Sequence, residues 1–337
     1  MTGKKTYKYV DLSGYAFTGK HAVIDLLREF RGYHVPHFAF EFNLLRIQGG
    51  ILDLESAFST DWSPIRSDAA VRRFKLLVKR LGSKNRITDP KSWFQAVGWN
   101  WDVHFNQRFF ELSNRYIEKL VQVTWKADWP YPLAEISTLE LFWRKLQRRL
   151  GIKGALDFEV CLAYPENFVE ITKWYLNELL SSNVADDITT IVMHNAFEPF
   201  QPQRCLKFFD RVKCIIVDRD PRDTYVQQLT YPPIALKAPD FIKRFRIMRQ
   251  ASMKFMEEHR DILRIRFEDL ILLYEHMIPL IVNHLGDDLS VHVHKKKYFD
   301  PAVSIKNVGL WKNYPHQEEI EMIRRELGDY CYEDACG

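Results

Sequence analysis

The sequence predicts an α/β fold in three layers, a parallel sheet flanked by helices, carrying a helical insert. Three observations predict it. Residues 7–12 form a β-type run, and residues 188–193 and 212–217 are apolar runs of strand length with a short helical connection, 203–209, between the last two. Apolar strands without polar alternation suit a sheet covered on both faces, and strands separated by helices pair in parallel. The third observation is a glycine-bounded loop between the first run and the first helix: Ser13, Gly14, Tyr15, Ala16, Phe17, Thr18, Gly19 and Lys20. Strand, loop, helix is the layout of a phosphate cradle, in which backbone N–H groups and the positive end of the helix dipole meet one anion.

The spacing of Gly14, Gly19 and Lys20 matches a P-loop, but the next residue is His21. Nucleotide triphosphatases have Ser or Thr there, and its hydroxyl holds Mg²⁺. A P-loop-like cradle without that hydroxyl predicts a phosphate ligand bound without magnesium, and no metal site is expected.

A chain of 337 residues, 46% hydrophobic and 27% charged, is long enough for one large domain or two smaller ones. The net charge of +4 and pI near 8.6 favour anionic ligands but fall short of the footprint of a nucleic-acid binder. No apolar run reaches the roughly eighteen residues of a membrane span, and the first five residues lack the apolar core of a signal peptide. These features predict a cytoplasmic protein without stable membrane insertion. The five cysteines are too sparse for a disulfide framework, and Cys331 and Cys336 are expected in a frayed C-terminal tail.

Along the chain, residues 22–30 put Val23, Leu26, Leu27 and Phe30 on one helical face that should pack on the sheet. The return segment, 33–42, supplies His34, His37 and Glu41, and His37 and Glu41 are candidates to touch substrate. Residues 51–180 form the insert. Helical spacing runs through 69–81, 105–123 and 138–150, with 157–180 helix-rich and no strand expected before residue 154. The first of these helices and its exit loop are basic, with Arg66, Arg72, Arg73, Lys75, Lys79, Arg80, Lys84, Arg86 and Lys91 and few acids to offset them. That is either a solvated face or a surface for an anionic acceptor. Trp93, Trp99, Trp101 and Trp125 fall nearby, as core packing or as plates for a ring.

In open parallel sheets, ligands bind beyond the carboxyl ends of the strands. That rule points to the cradle after Leu12, to His194 and Asn195, to Asp218 and Arg219, and to the segment after Ile265. Pro221 suits the first turn of a helix, Asp220 or Asp223 can satisfy its free N–H groups, and Arg219 is placed to fork onto a phosphate. A long helix is expected over 240–258. His292 and His294 alternate as a metal pair does, yet no third ligand is placed by spacing, so a solvated basic edge is expected. A polar, glycine-bearing loop, 304–314, precedes a charged last helix.

Taken together, the chain resembles the sulfotransferases that use 3′-phosphoadenosine 5′-phosphosulfate (PAPS). The loop from Ser13 to Lys20 looks like the one that holds the donor's 5′-phosphosulfate. IIVDRDPRD, 215–223, looks like the strand and helix start that hold the 3′-phosphate. SIKNVGLWKNY, 304–314, looks like the late loop over the nucleotide, and RIRFEDL, 264–270, is similar to a strand common in the family. The resemblance implies one domain over 1–337 with the insert at 51–180 on the acceptor side. It implies PAPS as co-substrate, PAP as product and no metal. Donor contacts are implied at Gly14, Tyr15, Ala16, Phe17, Thr18, Gly19, Lys20, His21, Arg219, Gln227, Ser304, Lys306, Val308 and Gly309. Phe17 stands where many members have Lys, and Gln227 where they have Ser, so Lys20 and the Gln amide are the implied substitutes. His194 matches the position of one family base and Glu41 or His37 that of another, with His194 favoured and Lys20 stabilising the leaving phosphate. The acceptor is expected to be a hydroxyl, on a carbohydrate or glycolipid in the first place, and the basic helix admits an anionic one. A small-molecule kinase using ATP and Mg²⁺ is the alternative; it needs Asp218 as metal ligand and Ser or Thr at position 21.

Overall fold

The structure is a computed structural model that describes residues 5–37, 40–84, 99–255 and 257–333. Its strands are β1 (Lys8–Gly14), β2 (Tyr33–His34), β3 (Val123–Asp128), β4 (Asp157–Leu162), β5 (Thr190–His194), β6 (Val212–Asp218) and β7 (Ile262–Arg266). The chain divides into two compact units, Met1–Asn43 with Val184–Gly337, and Leu44–Asn183.

The first unit carries a sheet of order β2-β5-β1-β6-β7, parallel at every pairing, as the apolar runs predict. β1 is central, with Leu12 level with His194 on one side and Ile215 on the other. Val10, Leu12, Ile215 and Val217 are fully buried against Val23, Leu26 and Leu27 of the helix Lys20–Leu27. The predicted apolar face of that helix is therefore the one that packs. The chain leaves β1 toward β2 on one side and later builds β6 and β7 on the other. The crevice beyond the carboxyl end of β1 is thus a topological switch point.

The second unit is built on helices Pro64–Gly82, Phe109–Leu120 and Phe168–Leu180. Trp101 is core, edge-on to Phe109, while Tyr116 stacks on Tyr175 with ring centres 4.4 Å apart. One expectation fails here. β3 and β4 pair antiparallel over Val123–Leu162 to Asp128–Asp157, where the sequence predicts a helix end and a helix start. β3 does alternate, with Val123, Trp125 and Ala127 against Thr124, Lys126 and Asp128, but the run is only six residues long, directly follows a stretch of helical spacing, and has its partner some thirty residues on. The basic helix is also less free than its composition suggests. Arg72 pairs with Asp68 and Glu135, and Arg73 with Glu135. Trp99 and Trp125 are exposed. Trp93, Arg86, Lys91 and Cys336 lie outside the described residues.

Two expectations for the first unit also need correction. His292 is not on a solvated edge: it is buried, with Nε2 2.6 Å from Oε2 of the buried Glu29. The tail is not frayed through Tyr332. Its N–H donates to Asp220 Oδ2 at 2.8 Å, its hydroxyl donates to Asp269, and its carbonyl accepts from Arg222. Such pinning is invisible in a polar tail because its partners are distant in sequence. Among the described residues no helix is long and apolar enough to cross a membrane.

Candidate active site

The loop after β1 turns at Phe17 and Gly19, with φ of 65° and 81°. Gly19 needs that left-handed conformation, and a Cβ there falls 2.3 Å from the Phe267 ring. Gly14 is required for a different reason: a Cβ there lies 2.8 Å from the Val217 carbonyl oxygen on β6. The Thr18 hydroxyl donates to the Tyr15 carbonyl at 3.0 Å and closes the loop on itself. The helix begins at Lys20 with no side-chain cap, which leaves its first N–H groups to the loop.

Arg219 leaves the carboxyl end of β6 and is 3% exposed. Its guanidinium donates to the Phe17 carbonyl at 3.0 Å and to the Asn307 carbonyl, and lies 4.8 Å from the Phe267 ring centre. One side chain thereby joins the first loop, the last strand's exit and the late segment. Burial pushes the Arg219 pKa down, and the carboxylates of Asp223, Glu268 and Asp220 pull it back. Its Nε is buried with no hydrogen-bond partner among the described residues.

The acids of this turn have fixed duties. Asp220 caps the helix Pro221–Leu229 by accepting from the Arg222 N–H at 2.8 Å. Asp223 reaches forward instead, accepting from Gly309 N–H at 2.7 Å and Trp311 N–H at 3.2 Å. The late segment, expected as a loop, is a string of short helical turns held down by that carboxylate. Asp218 receives Arg264 at 2.6 Å and Arg249 at 3.1 Å.

A cavity of about 340 Å³ opens at this junction. Phe17, Gly19, His21, Arg219, Gln227 and Ser304 line it, all anticipated from sequence, together with Ala22, Asp25, Phe267, Tyr298, Phe299 and Asn307. The volume lies at the low end of ligand pockets, roughly 300–1,000 Å³. Other anticipated residues lie off it. Tyr15 is buried against Phe200 and Arg249, Ala16 and Lys306 are exposed, and Val308 packs on the core. Lys20 is buried and is not part of the lining. Gly14 and Gly309 act through the backbone contacts just given.

At the end of β5, His194 is 2% exposed, with its ring centre 5.1 Å from that of His21. Its carbonyl accepts from Phe42 N–H, and Asn195 Nδ2 donates to Glu41 Oε1 at 2.6 Å. Two of the candidate bases, His194 and Glu41, therefore gather at one strand end, whereas the exposed His37 lies five residues before that return contact. Asp25 is the acid of this lining, paired to Arg28 at 2.6 Å, and burial raises its pKa. Sequence reasoning missed Asp25, Tyr298 and Phe299, which carry no motif. Phe267 had a signal, since it directly follows the fourth predicted strand end.

No protein-family model matches the chain, and no curated protein does. Several solved structures are similar. The sulfotransferase domain from the Synechococcus PCC 7002 olefin synthase is 12% identical, covering 98% of this chain and 97% of that chain at a TM-score of 0.40. Sulfotransferase STF9 from Mycobacterium avium is 13% identical, covering 97% and 76%, at 0.38. Retinol dehydratase in complex with androsterone and inactive cofactor PAP is 14% identical, covering 96% and 80%, at 0.33. Likeness this loose carries no argument about function, which rests on the site itself.

Proposed function

We propose that the chain is a sulfotransferase that binds PAPS in the cavity after β1 and moves its sulfuryl group to an acceptor hydroxyl. The observation that carries this reading is the meeting of three separated blocks, Phe17–His21, Arg219–Gln227 and Ser304–Asn307, around one cavity. The donor fits what is there. Gly19 stands in the lining beside the Phe267 ring, and the buried Arg219 carries an Nε still without a partner among the described residues.

PAPS supplies an activated sulfuryl group whose transfer makes an O–S bond to the acceptor as the S–O bond to the 5′-phosphate breaks, releasing PAP. The chain's work is positioning and electrostatics. Arg219 and the Gln227 amide hold the 3′-phosphate. The N–H groups at the start of the helix Lys20–Leu27 stabilise the leaving phosphate. His194 takes the acceptor proton, with Glu41 beside it as the competing base. A kinase needs Asp218 free for Mg²⁺, and that carboxylate already carries Arg264 and Arg249.

The acceptor is a glycan hydroxyl, an anionic one included. This rests on the basic and aromatic composition of residues 51–180. Calorimetric titration with PAP and with ADP tests the donor. PAP binding without added metal is expected, and turnover with PAPS should survive EDTA and add the mass of one sulfuryl group to the acceptor. Tight ADP binding with no response to PAP refutes the reading. His194→Ala should abolish turnover and keep PAP affinity; if it retains turnover while Glu41→Gln loses it, the base is Glu41.

A further inference from the structure

Glu29 lies just beyond the helix that follows the cradle, fully buried. Its Oε2 meets His292 Nε2 at 2.6 Å and accepts from Lys296 N–H at 3.1 Å. Its Oε1 accepts from Tyr298 N–H at 2.8 Å and Phe299 N–H at 2.9 Å. Its own carbonyl accepts from the N–H groups of Val293 and His294, and next to it Phe30 bridges His292 antiparallel. One carboxylate therefore folds the segment from His292 to Phe299 around itself. A buried carboxylate is stable only when its oxygens are satisfied in this way.

That segment ends in Tyr298 and Phe299, both in the cavity lining. Phe299 is buried beside Tyr274, whereas Tyr298 is 48% exposed and carries the Lys297 ammonium 5.2 Å from its ring centre. A half-exposed aromatic ring with an ammonium beside it, in the wall of an arginine-bearing cavity, offers what a nucleoside phosphate binds: a stacking surface with positive charge nearby. The motif blocks supply phosphate contacts and leave the base without an assigned partner.

We propose that Tyr298 is a donor-contact residue that stacks on the nucleoside base, and that Glu29 is its positioning residue. The inference rests on the PAPS reading. It is tested on the full chain by PAP calorimetry on wild type, Tyr298→Phe, Tyr298→Ala, Glu29→Gln and the Glu29→Gln/Tyr298→Ala double variant. Hydrogen exchange of the peptide spanning 293–299, measured without ligand, accompanies it. Tyr298→Phe keeps the ring and should bind within about twofold of wild type, and Tyr298→Ala should bind roughly tenfold more weakly. Glu29→Gln should weaken PAP by a similar factor and speed exchange at 298 and 299. The double variant should be no weaker than Glu29→Gln, because both changes remove one contact. Wild-type affinity in Tyr298→Ala overturns the contact. Unchanged exchange in Glu29→Gln, or full additivity in the double variant, overturns the positioning role. If wild type ignores PAP, the donor reading and the base contact fall together, while the exchange measurement still decides whether Glu29 holds the wall.

Discussion

Asp11 carries a buried carboxyl whose cost to folding can be worked from its surroundings. It is fully buried at the centre of β1, and burial raises its carboxyl from the ordinary 3.8 to about 6. The N–H groups of Ala196 at 2.8 Å and Phe197 at 3.3 Å donate to Oδ1, and the Ser13 hydroxyl lies 2.5 Å from Oδ2. Ser13 Oγ also lies 2.9 Å from the Phe197 carbonyl. One hydroxyl hydrogen cannot serve both acceptors, but a protonated Asp11 donates to Ser13 while Ser13 donates to Phe197. Asn at this position reproduces that chain of donors permanently.

The folded state thus holds the Asp11 proton more tightly than the unfolded state does. Well below pH 3.8 both states are protonated and burial of the charge costs nothing. Between about 4 and 6 the folded state binds more protons, so stability falls as pH rises. Above about 6 the full penalty stands, near 3 kcal/mol for a shift of this size at 1.36 kcal/mol per unit. Asp11→Asn should therefore stabilise the protein by about 2–3 kcal/mol at pH 7.5 and by only about 0.5 kcal/mol near pH 4. Urea unfolding at pH 4, 5, 6 and 7.5, with matched m-values, measures this. A pH-independent difference, or a variant less stable at pH 7.5, refutes the reasoning.

Gly19→Ala combines left-handed strain with a clash against Phe267, and should cost about 2 kcal/mol or more and abolish PAP binding; an unchanged melting temperature and affinity contradict the loop geometry. Asp25→Asn removes the acid from the cavity and should tighten PAP roughly threefold at low salt, with the gain shrinking as salt is added. Because burial raises the Asp25 pKa, wild type becomes protonated as pH falls into the acid range, and the two proteins should converge there. A gain independent of both salt and pH points to a packing change instead. Arg219→Lys keeps one charge but loses the planar fork to Phe17 and Asn307, and should weaken PAP about tenfold or more in calorimetry; equal affinity removes Arg219 from the donor site.

What the sequence determines by itself is whatever a short window encodes. The runs that become β1, β5 and β6 carry their burial in their own composition, and the glycines of the cradle carry their turn. The cap at Asp220 and the strand-end position of Arg219 follow from local spacing as well. Parallel pairing then follows from the alternation of strand and helix, so the carboxyl ends of the strands were legible as the binding side, whereas the strand order that makes β1 the switch point was not.

Only the tertiary structure decided which side chains share a neighbourhood. Glu29 reads as an ordinary polar residue within the predicted helix 22–30 until His292 and the 296–299 turn fold around it from more than 260 residues away. Asp223 reads as a helix-start acid until Gly309 and Trp311 present their N–H groups to it. Asp11 reads as a polar interruption in a strand until Ala196 and Phe197 arrive from the end of β5. β3 and β4 stayed hidden for a related reason: the alternation in 123–128 is too short to outweigh the helical spacing beside it, and what stabilises the strand is a ladder with a partner chosen by the fold. Periodicity is a property of neighbours in sequence, whereas desolvation and hydrogen-bond satisfaction are properties of neighbours in space.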